Sequence, residues 1–344
     1  MRLRFLGALG VLAAAAILTT GCDSPPTGSV KMADGKAGPA AKARTSRAAK
    51  IQRAAKAKAN ELGQIPVLMF HRIVTKPATS DDRSPAQFRA DLERLARENY
   101  VPITAAEMVS GKINIPAGAH PVVLTFDDSS PSQLTLSELG VPQKDTAVAI
   151  LKEVAARHPG FRPVATLYVT RDMFGKTVRE EQAQALTWLK ENGFDIGNHT
   201  RDHINLRGRS QKEVEEQIGA IGAQITALSQ VKPTTIALPY GNQPKNKDWA
   251  MRGKGYHHTG AFLAGYTPAP APFSKAFDPA GIPRIKVMEK KGDCAQFCSA
   301  AWLDWLNKNP DMRYTSDGDV GTVAYPKFKN PYLRKNFTTW ALPY

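Results

Sequence analysis

From residue 65 onward, short apolar runs that end on polar residues alternate with amphipathic segments. Ile65-Pro66-Val67-Leu68-Met69-Phe70 stops at His71-Arg72, and the β-branched run Val122-Val123-Leu124-Thr125-Phe126 stops at Asp127-Asp128. Runs of this kind predict strands buried on both faces, as in a parallel sheet. The same pattern predicts strands over 164–169, 194–197 and 234–238. Between them the period lengthens to that of a helix. Ser84-Pro85 supplies an N-cap with proline at the first helical position, and Phe88, Leu92, Leu95 and Ala96 mark one face. Further helices are predicted over 146–157, 180–191 and 210–228. Such alternation predicts an α/β fold, a mainly parallel sheet with helical crossovers.

The segment ahead of residue 65 has a different character. Residues 23 to about 62 are rich in Ala, Lys, Gly, Pro and Ser, and 22–64 reads as a flexible basic tether. Ala and Lys favour helix around 40–59, but that stretch has no apolar face to bury. The folded domain is expected over 65–310. The remainder, 311–344, is aromatic and basic with little periodicity and is expected to pack on or beside it.

The polar clusters that carry chemistry all follow predicted strands: His71, Asp127-Asp128, His199-Thr200-Arg201-Asp202-His203, and Tyr240 in Leu238-Pro239-Tyr240-Gly241. In parallel α/β architectures the C-terminal strand ends lie on one side and hold the site. Adjacent carboxylates at the end of a buried strand are costly unless they bind a cation or take part in a reaction. With two imidazoles they make a ligand set suited to a divalent metal such as zinc. Histidines four apart point the same way if they share a helical turn. Taken singly, the Asp pair fits a helix cap and the H-x-x-x-H spacing an ordinary helix; it is their combination that points to a site.

Thr125-Phe126-Asp127-Asp128 and His199-Thr200-Arg201-Asp202-His203, with a partial third motif at Leu238-Pro239-Tyr240-Gly241, resemble the defining motifs of the polysaccharide deacetylases, carbohydrate esterase family 4. The resemblance covers roughly residues 65 to 287. It implies a distorted (β/α) barrel with Asp128, His199 and His203 holding a divalent metal, most simply zinc, and Asp127 as the general base. It also implies that a backbone N–H at Tyr240 supports the tetrahedral oxyanion. The chain departs from the family in two places. The late Leu-x-His acid is missing, and Ala237 precedes the third motif where the family has an arginine nearby. Leu68-Met69-Phe70-His71-Arg72-Ile73 resembles the early Met-Tyr-His segment of the circularly permuted branch, which includes poly-β-1,6-N-acetylglucosamine deacetylases. This makes His71 the candidate acid. Arg284, in Ile282-Pro283-Arg284-Ile285, is the candidate replacement for the missing arginine that orients the base.

The resemblance implies N-deacetylation of an N-acetylhexosamine polysaccharide, poly-N-acetylglucosamine or peptidoglycan, at the cell surface. The alternatives are carbohydrate O-acetyl ester hydrolysis and a non-catalytic surface lipoprotein that binds glycan or metal. Asp127 beside three metal ligands favours an enzyme, because a binder needs no base there.

Charge and cysteines add a location. The net charge is +15, and residues 1 to 64 hold eleven Lys/Arg against three Asp/Glu, so about half of it lies ahead of residue 65, most of that in the tether. A basic tether suits an anionic surface. No nucleic-acid-binding motif accompanies it, and no nucleic-acid partner is expected. Arg2 and Arg4, an apolar stretch and small residues make 1–21 a signal segment. Leu18-Thr19-Thr20-Gly21-Cys22 resembles a bacterial lipobox, which implies an extracytoplasmic protein anchored to the membrane through lipid on Cys22. Cys294 and Cys298 remain as a pair. Their spacing also fits half a metal site, but no further soft ligand lies nearby, and a local disulfide is expected. His257-His258 are expected at the surface, and Trp302 and Trp305 in core packing.

Overall fold

The computed structural model describes residues 39–344; the expected signal at 1–21 and Cys22 lie outside the described residues. Eight strands form the main sheet: β1 Val67–Phe70, β2 Tyr100–Ile103, β3 His120–Phe126, β4 Thr166–Val169, β5 Asp195–Asn198, β6 Thr235–Ala237, β7 Gly260–Phe262 and β8 Ile285–Lys286. Their order is β7-β6-β5-β4-β3-β1-β8, with β2 paired to the first half of β3 and β4 to its second half. Every pairing in this sheet is parallel. The two edges meet at a seam, where Phe262 of β7 bridges Ile282 just ahead of β8. The sheet therefore curls into the distorted (β/α) barrel implied by the motifs.

The helices include α1 Pro39–Lys56, α2 Pro85–Arg97, α3 Ala105–Ser110, α4 Ala147–Arg157, α5 Arg179–Glu191, α6 Gln211–Ser229 and, later in the chain, α7 Ser299–Lys308. Three of them start at capping boxes. Ser84, Thr104 and Ser210 each accept a hydrogen bond from the backbone three residues on, and Gln87, Glu107 and Glu213 return one. Helices α2, α4, α5 and α6 are those predicted. Strand β2 and helix α3 were not anticipated: Pro102 interrupts the strand signal, tolerable because β2 pairs on one side only, and α3 is too short to display a period.

Strand residues alternate between two cores, as a period of two requires. Leu68, Phe70, Leu124, Phe126, Leu167 and Val169 face α2, α4 and α5. Val67, Val123, Tyr168, Ala237 and Phe262 face the barrel interior. Along β3 the inward set continues from Val123 through Thr125 to Asp127, so the pleat itself aims Asp127 into the barrel. On the helical side Phe70, Phe88 and Phe126 form an aromatic trio with centroids 5.1, 5.2 and 5.7 Å apart. Each such pair contributes about 0.5–1.5 kcal/mol beyond its buried area, which fixes the strand ends just before His71 and Asp127.

Four regions differ from expectation. Packing begins before residue 65: Ala54 and Ala59 are buried against Ala324 and Leu342, and Asn60, Glu61 and Leu62 are buried too. Small alanines let α1 pack closely without the large apolar face that the sequence lacks. Second, Tyr314, Val323 and Tyr325 from 311–344 belong to the inner core. Third, His258 is buried rather than at the surface: its Nδ1–H donates to the Ala250 carbonyl at 2.8 Å, and burial pushes its pKa down to about 4; His257 is exposed. Fourth, Trp302 rests on the core, whereas Trp305 remains 37% exposed. Cys294 and Cys298 are joined by a disulfide. Among the described residues no helix is long and apolar enough to cross a membrane.

Candidate active site

Each site segment extends the parallel ladder by one hydrogen bond before it turns away. The Asp127 N–H donates to Phe70 at 3.0 Å, the His199 N–H to Val169 at 3.1 Å and the Leu238 N–H to Phe262 at 2.9 Å. The backbone then adopts left-handed angles at Asp128, Ser129, Thr200, His203 and Tyr240, half of the ten non-glycine residues with positive φ among the described residues. Strained backbone concentrated at one mouth of a barrel marks a site whose geometry matters more than its local stability.

His71, Asp127, Asp128, His199, His203, Tyr240 and Arg284 all line one pocket of about 420 Å³ at the C-terminal strand ends. Asp128, His199 and His203 each offer a ligand atom, and these atoms lie within 4.8 Å of one another. Asp128 Oδ1 is 3.3 Å from Nε2 of both histidines. His199 Nδ1 lies 2.7 Å from the Ala237 carbonyl, which only accepts, so Nδ1 carries the hydrogen and Nε2 presents a lone pair to the cluster. Buried Asp128 Oδ1 and His199 Nε2 have no hydrogen-bond partner. Burial would lower the His199 pKa, but the Asp127 and Asp128 carboxylates outweigh it and push the imidazole up. The cluster is thus short of positive charge at its centre. One carboxylate and two imidazoles around such a point fit a divalent cation of the zinc type.

Asp127 has a different environment from its neighbour. Its two oxygens accept 2.7 Å hydrogen bonds from Arg284 Nη1 and Nη2, and Nη1 also donates to Thr125 Oγ1 at 3.1 Å. Arg284 Nε donates to the Leu263 carbonyl at 2.7 Å, which fixes the guanidinium plane. Arg284 is only 1% exposed, and a planar fork of this kind orients a carboxylate in two dimensions. Burial would raise the Asp127 pKa, but Arg284, followed by His199, holds it well below the usual carboxylate range. Asp127 is therefore ionised and aimed. His71 lines the pocket beside the two aspartates. Tyr240 is 64% exposed, with its ring 4.9 Å from that of His203.

His199 and His203 do not share a helical turn, contrary to expectation. They sit on a loop after β5 in which Thr200 and His203 are left-handed, and the loop is stapled to α6. Gln217 Nε2 donates to Asp202 Oδ2 at 2.7 Å, Gln217 Oε1 accepts from the Asp202 N–H at 3.0 Å, and the Gln217 carbonyl accepts from the Arg201 N–H at 2.9 Å. Gln133 was also not anticipated. Its buried Nε2 donates to the carbonyls of His71 at 2.9 Å and Asp127 at 2.5 Å, tying the ends of β1 and β3 together. Nothing in the local sequence marks either glutamine, because each bridges segments that only the fold brings together.

A barrel with a carboxylate–imidazole cluster and an aimed carboxylate at its strand-end mouth has the equipment of a hydrolase. Residues 114–259 match the family model described as polysaccharide deacetylase. Over that stretch the chain is similar to the polysaccharide deacetylases. Among solved structures, the deacetylase PplD from Streptococcus pyogenes, in complex with acetate, is similar at 19% identity and TM-score 0.51, over 65% of this chain and 92% of that one. A polysaccharide deacetylase from Bacillus cereus is similar at 18% identity and TM-score 0.50, over 65% of this chain and 64% of that one. These likenesses speak to the fold. No curated protein matches the chain.

Proposed function

We propose that this protein is a metal-dependent N-deacetylase of an N-acetylhexosamine polysaccharide, poly-N-acetylglucosamine or peptidoglycan, outside the cytoplasmic membrane. The observation that carries the reading is the division of labour between adjacent aspartates: Asp128 turns to the two imidazoles, while Asp127 is locked by Arg284.

Asp128, His199 and His203 would hold the cation, for which zinc is the natural choice. When bound, such a cation acidifies water and polarises the acetyl carbonyl. Asp127 accepts the proton of the attacking water, and Arg284 keeps its oxygens facing the reacting carbon. The Tyr240 backbone N–H donates to the oxygen that gains charge as the carbonyl becomes tetrahedral. His71 protonates the sugar nitrogen as the carbon–nitrogen bond breaks, releasing a free amine and acetate. The tether and Cys22 fit a lipid-anchored enzyme, with the basic segment placed against an anionic envelope.

The test is acetate release from N-acetylglucosamine oligomers by the purified chain, before and after chelation and after return of zinc. Release that stops with chelator and returns with zinc is expected. Release only from O-acetylated sugars, or binding without release, would refute the reading.

A further inference from the structure

The loop that carries His199 and His203 is held from two directions by residues the reaction does not use. One turn of α6 receives most of it. Asn198 Nδ2 donates to the Ile218 carbonyl at 2.9 Å, and Asn198 Oδ1 accepts from the Thr200 N–H at 3.0 Å. The Gln217 side-chain amide forms a closed pair with Asp202, accepting from its N–H and donating to its Oδ2. From the other direction comes Arg171, two residues after β4. Its N–H donates to the Arg201 carbonyl at 3.1 Å, and its Nη1 donates to Asp202 Oδ1 at 2.6 Å. The Arg171 carbonyl in turn accepts from Gln182 of α5 at 2.9 Å and from Gln224 of α6 at 3.1 Å. Arg171, Asp202 and Gln217 all lie outside the lining of the pocket.

We propose that Asp202 and Gln217 are positioning residues for the cation site, holding His199 and His203 in ligating geometry before a cation arrives. The proposal rests on the cation assignment given above. Histidines four apart on a helix are aligned by the helix itself. These two sit in a loop with left-handed Thr200 and His203, so their alignment comes from outside it. Backbone angles of that kind persist only where the surroundings over-determine them. Asp202 stands between the two histidines in the chain, and the outside bonds converge on it: Arg171 takes Oδ1 and Gln217 takes Oδ2. A loop left free would lose conformational freedom when a cation gathered its imidazoles, and that loss weakens binding. The pair with Asp202 also needs one donor and one acceptor on the partner side chain. Glutamine has both, whereas glutamate would set a second carboxylate against Asp202.

The test uses the full chain, stripped of cation by chelator and then given zinc or cobalt. Zinc affinity is read by competition with a chromophoric chelator, the site by the visible spectrum of bound cobalt, and folding by urea unfolding of the cation-free protein. Gln217→Glu and Asp202→Ala should each weaken zinc binding about tenfold to a hundredfold and alter the cobalt spectrum. Combining Gln217→Glu with Asp202→Asn should restore both, because the new amide donates to the new carboxylate, which still accepts the N–H of position 202. Asp202→Ala lies in the loop and leaves α6 untouched, so it decides the matter if Gln217→Glu does not fold. Unchanged zinc affinity and cobalt spectrum in the single variants would overturn the proposal, even if urea unfolding showed lost stability. So would a combined variant that binds zinc no better than Gln217→Glu alone. If the unaltered chain bound neither zinc nor cobalt, the cation assignment and the positioning role would fall together. If it bound zinc through this pair but released no acetate from N-acetylglucosamine oligomers, the positioning role would stand and the proposed reaction would fall.

Discussion

The barrel buries acidic oxygens at both ends, and those of Glu61 at one end are satisfied where Asp128 Oδ1 at the other is not. At the N-terminal strand ends, Glu61 is 3% exposed, yet both its oxygens are engaged. Oε2 accepts from the Ala324 N–H at 2.7 Å, and Oε1 accepts from Tyr314 OH at 3.1 Å and the Asp317 N–H at 3.4 Å. Asp317 is fully buried and accepts from the Asp319 N–H and Thr322 Oγ1. At the C-terminal strand ends, Asp128 Oδ1 and His199 Nε2 are buried without a partner. A polar group that is satisfied within the chain specifies structure; one left open within a strained loop is poised for something else.

The largest expected effect tests the open end. His199→Ala or His203→Ala should abolish acetate release and empty the cation site, as read by elemental analysis. Full metal occupancy in either variant would dissolve the contrast. Asp127→Asn should lower turnover by roughly a hundredfold to ten-thousandfold while metal stays bound, since Asp127 is committed to Arg284. Arg284→Met should cost about 3–5 kcal/mol in denaturant unfolding, because it leaves a buried carboxylate without its counter-charge. A loss under 1 kcal/mol would mean that water or another group already satisfies Asp127. His71→Ala should reduce amide cleavage far more than hydrolysis of an activated aryl acetate, whose leaving group needs no proton. Equal effects on both substrates would remove His71 as the acid.

The smallest effect tests the closed end through pH. Burial, with Asp317 nearby, pushes the Glu61 carboxyl up from its ordinary value of 4.5 to about 8. Between these values the folded chain keeps a proton that the unfolded chain has released, so stability falls as pH rises from about 4.5 to about 8 and then levels off. Glu61→Gln should flatten that slope between pH 5 and pH 9. An unchanged slope in urea titrations would show that Glu61 is not the group responsible.

Much of the open end was legible in the sequence, and little of the closed end was. Thr125-Phe126-Asp127-Asp128 could be read because strand and site are contiguous there, and the pleat fixes where Asp127 points. Arg284 was nameable, but its fork on Asp127 depends on a partner 157 residues away. The H-x-x-x-H spacing suggested a helical turn that the loop after β5 does not make, since left-handed Thr200 and His203 exclude it. Gln133 acts through backbone carbonyls and Gln217 partly through the backbone of the His199–His203 loop, and such contacts leave no trace in side-chain patterning. Glu61 lay hidden in a segment whose composition suggested a solvated tether, and its partners lie in the aperiodic segment 311–344. Long-range satisfaction of single polar groups has no local signature.

The seam has a consequence for where this enzyme can be cut. The family-matched stretch 114–259 contains Asp127, Asp128, His199, His203 and Tyr240 but neither His71 nor Arg284. Those two arrive just after β1 and just ahead of β8, strands that pair with each other beside the seam. A recombinant fragment drawn to the motif boundaries would therefore carry all three proposed cation ligands and still lack the proposed acid and the arginine that holds Asp127. The smallest portable unit of this chemistry is the closed ring, and any swap or truncation that spares the motifs but opens that edge is expected to yield a metal binder in place of a deacetylase.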